Sequence, residues 1–198
     1  MDLYRSKSGI VAGLDPVVEA LARRRVSPDA VTLAAIPVAA LAAACLFGSP
    51  SLPGLLAAVP VLAAARLVLN LLDGALARRT ERTHPRGELY NELGDRVADV
   101  LFLAPVAFLP GADMTTVLVG VLLAVLASYV GVASRAAGGR RIYRGILSKP
   151  GRMVLLGVFA IVVLVSGSDA WGVFGVVLLA GASATFVERI VVAIRELH

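Results

Sequence analysis

The sequence predicts an all-α integral membrane protein of about six transmembrane helices, preceded by an N-terminal amphipathic surface helix. Three observations predict it. Hydrophobic residues make up 58% of the chain and charged residues only 17%, with a mean hydropathy of +0.84. So few charges cannot cover a water-soluble surface, whereas a lipid-facing surface needs almost none. The apolar residues gather into runs approaching the roughly 20 that a helix needs to cross a bilayer. Lys and Arg, finally, cluster on alternate connections between those runs. A single membrane domain over residues 1–198 follows, with 1–28 as a cytoplasmic or interfacial segment and 29–198 as a six-helix bundle.

Residues 11–25 carry Val11, Leu14, Val18, Leu21 and Ala22 at a spacing that gives one apolar face. They read as an amphipathic helix on the cytoplasmic surface, its apolar face turned either to lipid or to the protein itself. Ser27-Pro28-Asp29 breaks that helix and caps the first span. The spans cover 31–47, 55–72, 97–109, 115–134, 153–165 and 171–194. The third and fifth are short alone, and each follows a polar stretch able to continue the same helix out of the membrane. A turn through Thr83-His84-Pro85 joins the second span to the third.

The charges orient these spans. Arg5, Lys7, Arg23, Arg24 and Arg25 precede the first, and Arg78, Arg79, Arg82 and Arg86 follow the second. Arg140 and Arg141 join Arg135, Arg144, Lys149 and Arg152 between the fourth and fifth, while Arg189 and Arg195 close the last. The connections 48–54, 110–114 and 166–170 contain no Lys or Arg. Both termini are therefore expected in the cytoplasm, in a multi-pass protein of the inner or plasma membrane. Residues 1–13 lack an apolar stretch, so a cleavable signal peptide is not expected.

Composition and pattern argue against several classes. The single Cys45 allows neither an internal disulfide nor a thiolate cluster, and His84 and His198 are far apart, which argues against a histidine metal site. The pI near 10.0 arises from short cationic clusters with little aromatic interleaving. That pattern suits anionic headgroups and phosphorylated substrates rather than nucleic acid. A small transporter would place polar residues near the bilayer midplane, and here they crowd one side.

Ionisable residues that border a span are functional by default, and here they concentrate between residues 70 and 99. Asn70, Asp73 and Ala77 share one helix face, and Asn91, Asp95 and Asp99 share a face of the next helix. The turn between them sets the helices antiparallel, so both polar faces converge at the cytoplasmic boundary. Oxygen ligands from facing helices are what a hard cation such as Mg²⁺ requires. Gly74 and Ala77 remove bulk from the same surface, for close helix approach or for substrate access. The alternatives are ion pairs of Asp73 and Asp95 with Arg66, Arg78 or Arg96, interhelical hydrogen bonding by Asn70 and Asn91, and an Arg96 partner for Asp99.

These residues resemble the CDP-alcohol phosphatidyltransferases, whose signature is Asp-x2-Asp-Gly-x2-Ala-Arg-x8-Gly-x3-Asp-x3-Asp. Asn70, Asp73, Gly74, Ala77, Arg78, Gly87, Asn91 and Asp95 stand in the same register. The six-span layout, the N-terminal amphipathic helix and the Ser-Pro before the first span are similar as well, so the likeness covers nearly the whole chain. The resemblance implies Mg²⁺ or Mn²⁺, one or two ions, held by positions 70, 73, 91 and 95. It also implies a CDP-diacylglycerol-type lipid near Gly74, Ala77, Arg78 and Gly87, and Asp95 as the base that deprotonates a small polar or phosphorylated alcohol. Transfer of the phosphatidyl group would release CMP. A homodimer among membrane lipids is a further implication.

The chain departs from that pattern at two places, where Asn70 and Asn91 replace the first and third signature aspartates. Asparagine offers a carbonyl oxygen to a hard cation but no negative charge. A single-metal site, or weaker metal binding in the resting state, is therefore expected, since two divalent ions would need the substrate diphosphate or the nearby carboxylates of Glu92 and Asp99 for balance. The alternative function is a non-catalytic membrane protein that binds lipid or a CDP nucleotide through a degenerate metal site. Arg135, Arg144, Lys149 and Arg152 form a second candidate group, for a phosphorylated acceptor, or else act as topology charges. Glu188 with Arg189 lines the same cavity or edges the last helix, and Gly138-Gly139 is a turn.

Overall fold

In the computed structural model residues 3–80 and 85–197 are described, with side chains from Gly13 onward. The helices are α1 (Leu3–Arg23), α2 (Pro28–Gly48), α3 (Ala58–Thr80), α4 (Pro85–Leu103), α5 (Met114–Ala136), α6 (Lys149–Ser166) and α7 (Trp171–Leu197). Short 3₁₀ turns, Pro53–Ala57 and Ala104–Phe108, precede α3 and follow α4. No strand occurs among the described residues. The protein is an all-α integral membrane protein. Five segments are long and apolar enough to cross a bilayer: Pro28–Gly48, Pro53–Thr80, Met114–Ala136, Lys149–Ser166 and Trp171–Leu197. The sixth helix, α4, begins well before the apolar run 97–109, and α6 likewise begins in the polar stretch before its run. Residues 83 and 84 of the expected turn lie outside the described residues, as do His198 and Arg82 and the side chains of Arg5, Lys7 and Val11.

The α1–α2 corner follows from local chemistry. Arg25 takes a left-handed backbone (φ 54°), with Val26 N–H donating to the Leu21 carbonyl and Arg25 N–H to that of Ala22. This pair of bonds satisfies carbonyls orphaned at the end of α1. Ser27 then caps α2 by accepting from Asp29 N–H, with Pro28 in the first turn, where a missing N–H costs nothing. The apolar face of α1 docks on the protein: Leu14, Val18, Leu21 and Ala22 pack with Val31, Leu69, Leu72 and Leu76.

The core is shared by the six longer-buried helices. Leu46, Val59, Phe102, Val106, Leu156, Phe174 and Leu178 are all fully buried in it. Helix α2 packs against both α3 and α4, α6 packs against α3, and α5 pairs with α7. The α5–α7 seam closes tightly because Gly120 leaves no room beyond its hydrogen: a Cβ there would stand 3.1 Å from Leu178 Cγ and 3.2 Å from Leu179 N. Trp171 stacks edge-on against Phe174, which meets Phe159 of α6 at 5.7 Å. Leu41, Val61, Leu122, Val158 and Val176 stay exposed, as a lipid-facing surface requires. Asp113 caps α5. The Thr116 hydroxyl and amide beside it hold its carboxyl below the usual carboxylate range.

The α5–α6 connection is tied to α7. Arg189 is buried (6% exposed). It donates to the carbonyls of Arg144 (2.9 Å), Ala127 (2.8 Å) and Tyr143 (2.8 Å). Leu147 N–H donates to Thr185 Oγ1 at 2.8 Å. These bonds fix the stretch that delivers Lys149 to the first turn of α6.

Candidate active site between α2, α3, α4 and α6

Among the described residues α3 and α4 share little backbone contact, whereas α2 packs against both. Their polar faces are bridged by side chains instead. Arg66 on α3 reaches across with Nη2 2.7 Å from Asp95 Oδ1 on α4. Lys149 at the start of α6 places Nζ 2.5 Å from the same oxygen. Asp95 is 13% exposed, Lys149 17% and Arg66 1%. An ion pair with Arg66, one of the alternatives foreseen for Asp95, is thus formed, and two cations flank this carboxylate.

Asp73 is held by neutral donors. Thr32 of α2 donates its hydroxyl to Oδ2 at 2.9 Å, and Gly74 N–H donates to Oδ1 at 2.6 Å. Asp73 lies within electrostatic reach of Asp95 and Lys149. Asn91 Oδ1 is buried with no hydrogen-bond partner among the described residues. Asn70, half-buried, lies one turn beyond Arg66 on the face that continues to Asp73. Ala77 and Gly87 are half-buried and Arg78 is exposed. A Cβ at Gly74 would meet Arg78 Nη1 at 3.4 Å, so the missing side chain leaves space beside the guanidinium rather than permitting a helix contact.

Other residues are placed differently from expectation. Asp99 pairs with neither metal ligands nor Arg96. It meets Arg152 at 2.6 Å, each side chain 1% exposed. Arg152, expected to hold an acceptor, is therefore a core residue joining α4 to α6, and it also donates to the Leu147 carbonyl. Glu92 is not a spare carboxylate either, since Arg96 at 2.6 Å and Arg141 both pair with it. Arg135 pairs with Glu88, and Arg144 with Glu188 at 3.2 Å. The four cations Arg135, Arg144, Lys149 and Arg152 are thus distributed over four different carboxylates.

Two contributors were not singled out for the site from sequence. Arg66 is a lone cation inside an apolar run, one helical turn before Asn70, and that spacing was the available signal. Thr32 carries none, since a threonine in the first turn of a span is ordinary.

Among the described residues no three His, Cys, Asp or Glu side chains come together as a metal set; the signature set in the sequence is two carboxylates and two amides. It suits one hard cation. Asn91 Oδ1 is an orphaned oxygen, Asp73 Oδ1 and Oδ2 each keep a lone pair, and oxygen donors are what Mg²⁺ or Mn²⁺ prefers. It does not suit two, because two ions would bring four positive charges to two carboxylates, one of which already faces both Arg66 and Lys149.

Fold and site together define a helical membrane protein with a polar cluster enclosed by α2, α3, α4 and α6. No protein-family model matches the chain. The chain is 28% identical over 165 residues to the inner membrane protein YnbA of Escherichia coli (strain K12), covering 83% of this chain and 82% of that one. It has the fold of the phosphatidylinositol phosphate synthase PgsA1 of Mycobacterium tuberculosis. The structure with CDP-DAG bound matches with a TM-score of 0.75 at 21% identity, over 90% of this chain and 92% of that one. The complex of that synthase with manganese and citrate matches with the same TM-score and identity, over 90% of this chain and 87% of that one.

Proposed function

We propose that the protein is a CDP-alcohol phosphatidyltransferase, moving a phosphatidyl group from a CDP-linked lipid to an alcohol acceptor. Asn91 Oδ1, buried with no hydrogen-bond partner among the described residues, carries this reading, since it stands in signature register with Asp73 and Asp95. A fold shared with a synthase solved with CDP-DAG, and separately with manganese, supports it.

Asn70, Asp73, Asn91 and Asp95 would hold one divalent ion, which when bound supplies charge neutralisation for phosphoryl oxygens. Thr32 keeps the Asp73 carboxylate oriented, and the small Gly74 and Ala77 with the exposed Arg78 would receive the nucleotide diphosphate. Gly87 lies in the first turn of α4, at the cytoplasmic end of the same cleft. Asp95 accepts the proton of the acceptor hydroxyl as its oxygen bonds to the lipid-side phosphorus. The bond from that phosphorus to the CMP oxygen breaks, and CMP leaves with the electron pair. Arg135 and Arg144 remain the candidates for a phosphorylated acceptor, without the buried Arg152. The cluster faces the cytoplasm, where both termini lie, in a single domain that pairs as a homodimer in the inner or plasma membrane.

A second reading has an observation in its favour. Asp95, the would-be base, is engaged by two cations, as suits a site that binds a CDP-lipid without turning it over. Purified protein in nanodiscs with labelled CDP-diacylglycerol, Mg²⁺ or Mn²⁺ and a panel of alcohols separates the two. Transfer predicts CMP release that vanishes in Asp95→Ala; tight binding with no release for any acceptor favours the second.

A further inference from the structure

We propose that Lys149 and Arg66 supply, as protein cations, the positive charge that the diphosphate of a CDP-linked lipid would otherwise draw from a second divalent ion. The inference rests on the assignment of this cluster as a CDP-lipid site.

Two cations converge on one oxygen. Lys149 Nζ stands 2.5 Å and Arg66 Nη2 2.7 Å from Asp95 Oδ1. One carboxylate balances one of them, so the triad holds a positive charge without a partner of its own. Asp73 makes no ion pair with either cation among the described residues, and both its oxygens accept from neutral donors. The surrounding acids are taken, Asp99 by Arg152 and Glu92 by Arg96 and Arg141. Keeping a surplus cation at the border of a membrane is costly, and an arriving anion removes that cost. Arg66 Nε, buried with no hydrogen-bond partner among the described residues, is a donor in reserve.

The two cations differ in freedom. Arg66 is 1% exposed in the middle of α3 and stays where it is, orienting Asp95 from behind. Lys149 is 17% exposed along its side chain, with Nζ buried and, beyond its ion pair with Asp95, without a hydrogen-bond partner among the described residues; it stands at the first residue of α6 and carries its charge on a flexible four-carbon stem. The helix N-terminus beneath it also favours anions. A diphosphate entering the cleft draws the Lys149 ammonium from Asp95 onto its own oxygens. The Asp95 oxygen, relieved of one cation, regains a lone pair for the acceptor proton. Asn70 and Asn91 fit this division, because a site with two fewer carboxylates has less to hold a second ion with and less need of one.

Calorimetric titration of the purified protein with CDP, in Mg²⁺ and in EDTA, tests this in wild type, Lys149→Gln, Arg66→Gln and Arg66→Lys. Wild type is expected to bind CDP in EDTA within about tenfold of its affinity in Mg²⁺, and Lys149→Gln to weaken both by about tenfold or more, as loss of a charge-assisted contact implies. Arg66→Gln should weaken binding and Arg66→Lys restore part of it, with a melting scan of each variant to score folding. Binding in Mg²⁺ that disappears in EDTA and is unmoved by Lys149→Gln overturns the inference while leaving the site's assignment standing. No CDP binding in either buffer overturns the assignment, and the inference with it.

Discussion

Asp99 on α4 and Arg152 on α6 meet at 2.6 Å with each side chain 1% exposed, so two opposite charges are sealed together inside the bundle. Each retains an atom without a hydrogen-bond partner among the described residues, Asp99 Oδ1 and Arg152 Nε. Removing one charge strands the other. Asp99→Ala or Arg152→Met alone is expected to destabilise by about 3–5 kcal/mol, while the double change Asp99→Leu/Arg152→Met should recover most of the loss. Denaturant unfolding in mixed micelles measures all three.

Thr32 spans from α2 to Asp73 with a 2.9 Å hydrogen bond. Thr32→Val keeps the shape and deletes the donor, leaving a buried carboxylate oxygen short of a partner, at a cost of about 1–3 kcal/mol. Thr32→Ser keeps the hydroxyl and should lie close to wild type. The same unfolding measurement distinguishes them.

Restoring carboxylates at the two asparagines raises the negative charge around any bound cation. The double variant Asn70→Asp/Asn91→Asp is expected to bind Mn²⁺ at least about tenfold more tightly than wild type, because ligand charge tunes the affinity of oxygen sites. Electron paramagnetic resonance of free Mn²⁺ during titration reads this directly. Equal affinity would mean that positions 70 and 91 do not reach the ion.

At the α5–α7 seam, Gly120→Val places a Cβ about where Leu178 and Leu179 already stand, at 3.1–3.3 Å. Overpacking of this kind costs about 1–3 kcal/mol. Lower unfolding midpoints with unchanged CDP binding would mark the seam as purely structural.

The helical membrane fold was legible because hydropathy and charge asymmetry act over whole segments, and the capped corner at Ser27-Pro28 because its chemistry is local. The shared faces Asn70–Asp73 and Asn91–Asp95 followed from helical period alone. Pairing was not legible. Asp99 sits three residues from Arg96, yet its partner is Arg152, 53 positions away, a choice made by the packing of α6 rather than by spacing. For the same reason Lys149, at the first residue of α6, lands on Asp95, while Arg152, three residues on, turns into the core. The amphipathic face of α1 was ambiguous between lipid and protein until its partners Leu72 and Leu76 were placed beside it.

Anomalous scattering from crystals soaked in Mn²⁺ and CDP bears most directly on whether the oxygens of Asn70, Asp73, Asn91 and Asp95 serve one ligand. The expected result is a single manganese peak with oxygens of these side chains in its shell, at roughly the 2.0–2.6 Å typical of hard cations. A peak elsewhere, or none with CDP bound in the cleft, would contradict it.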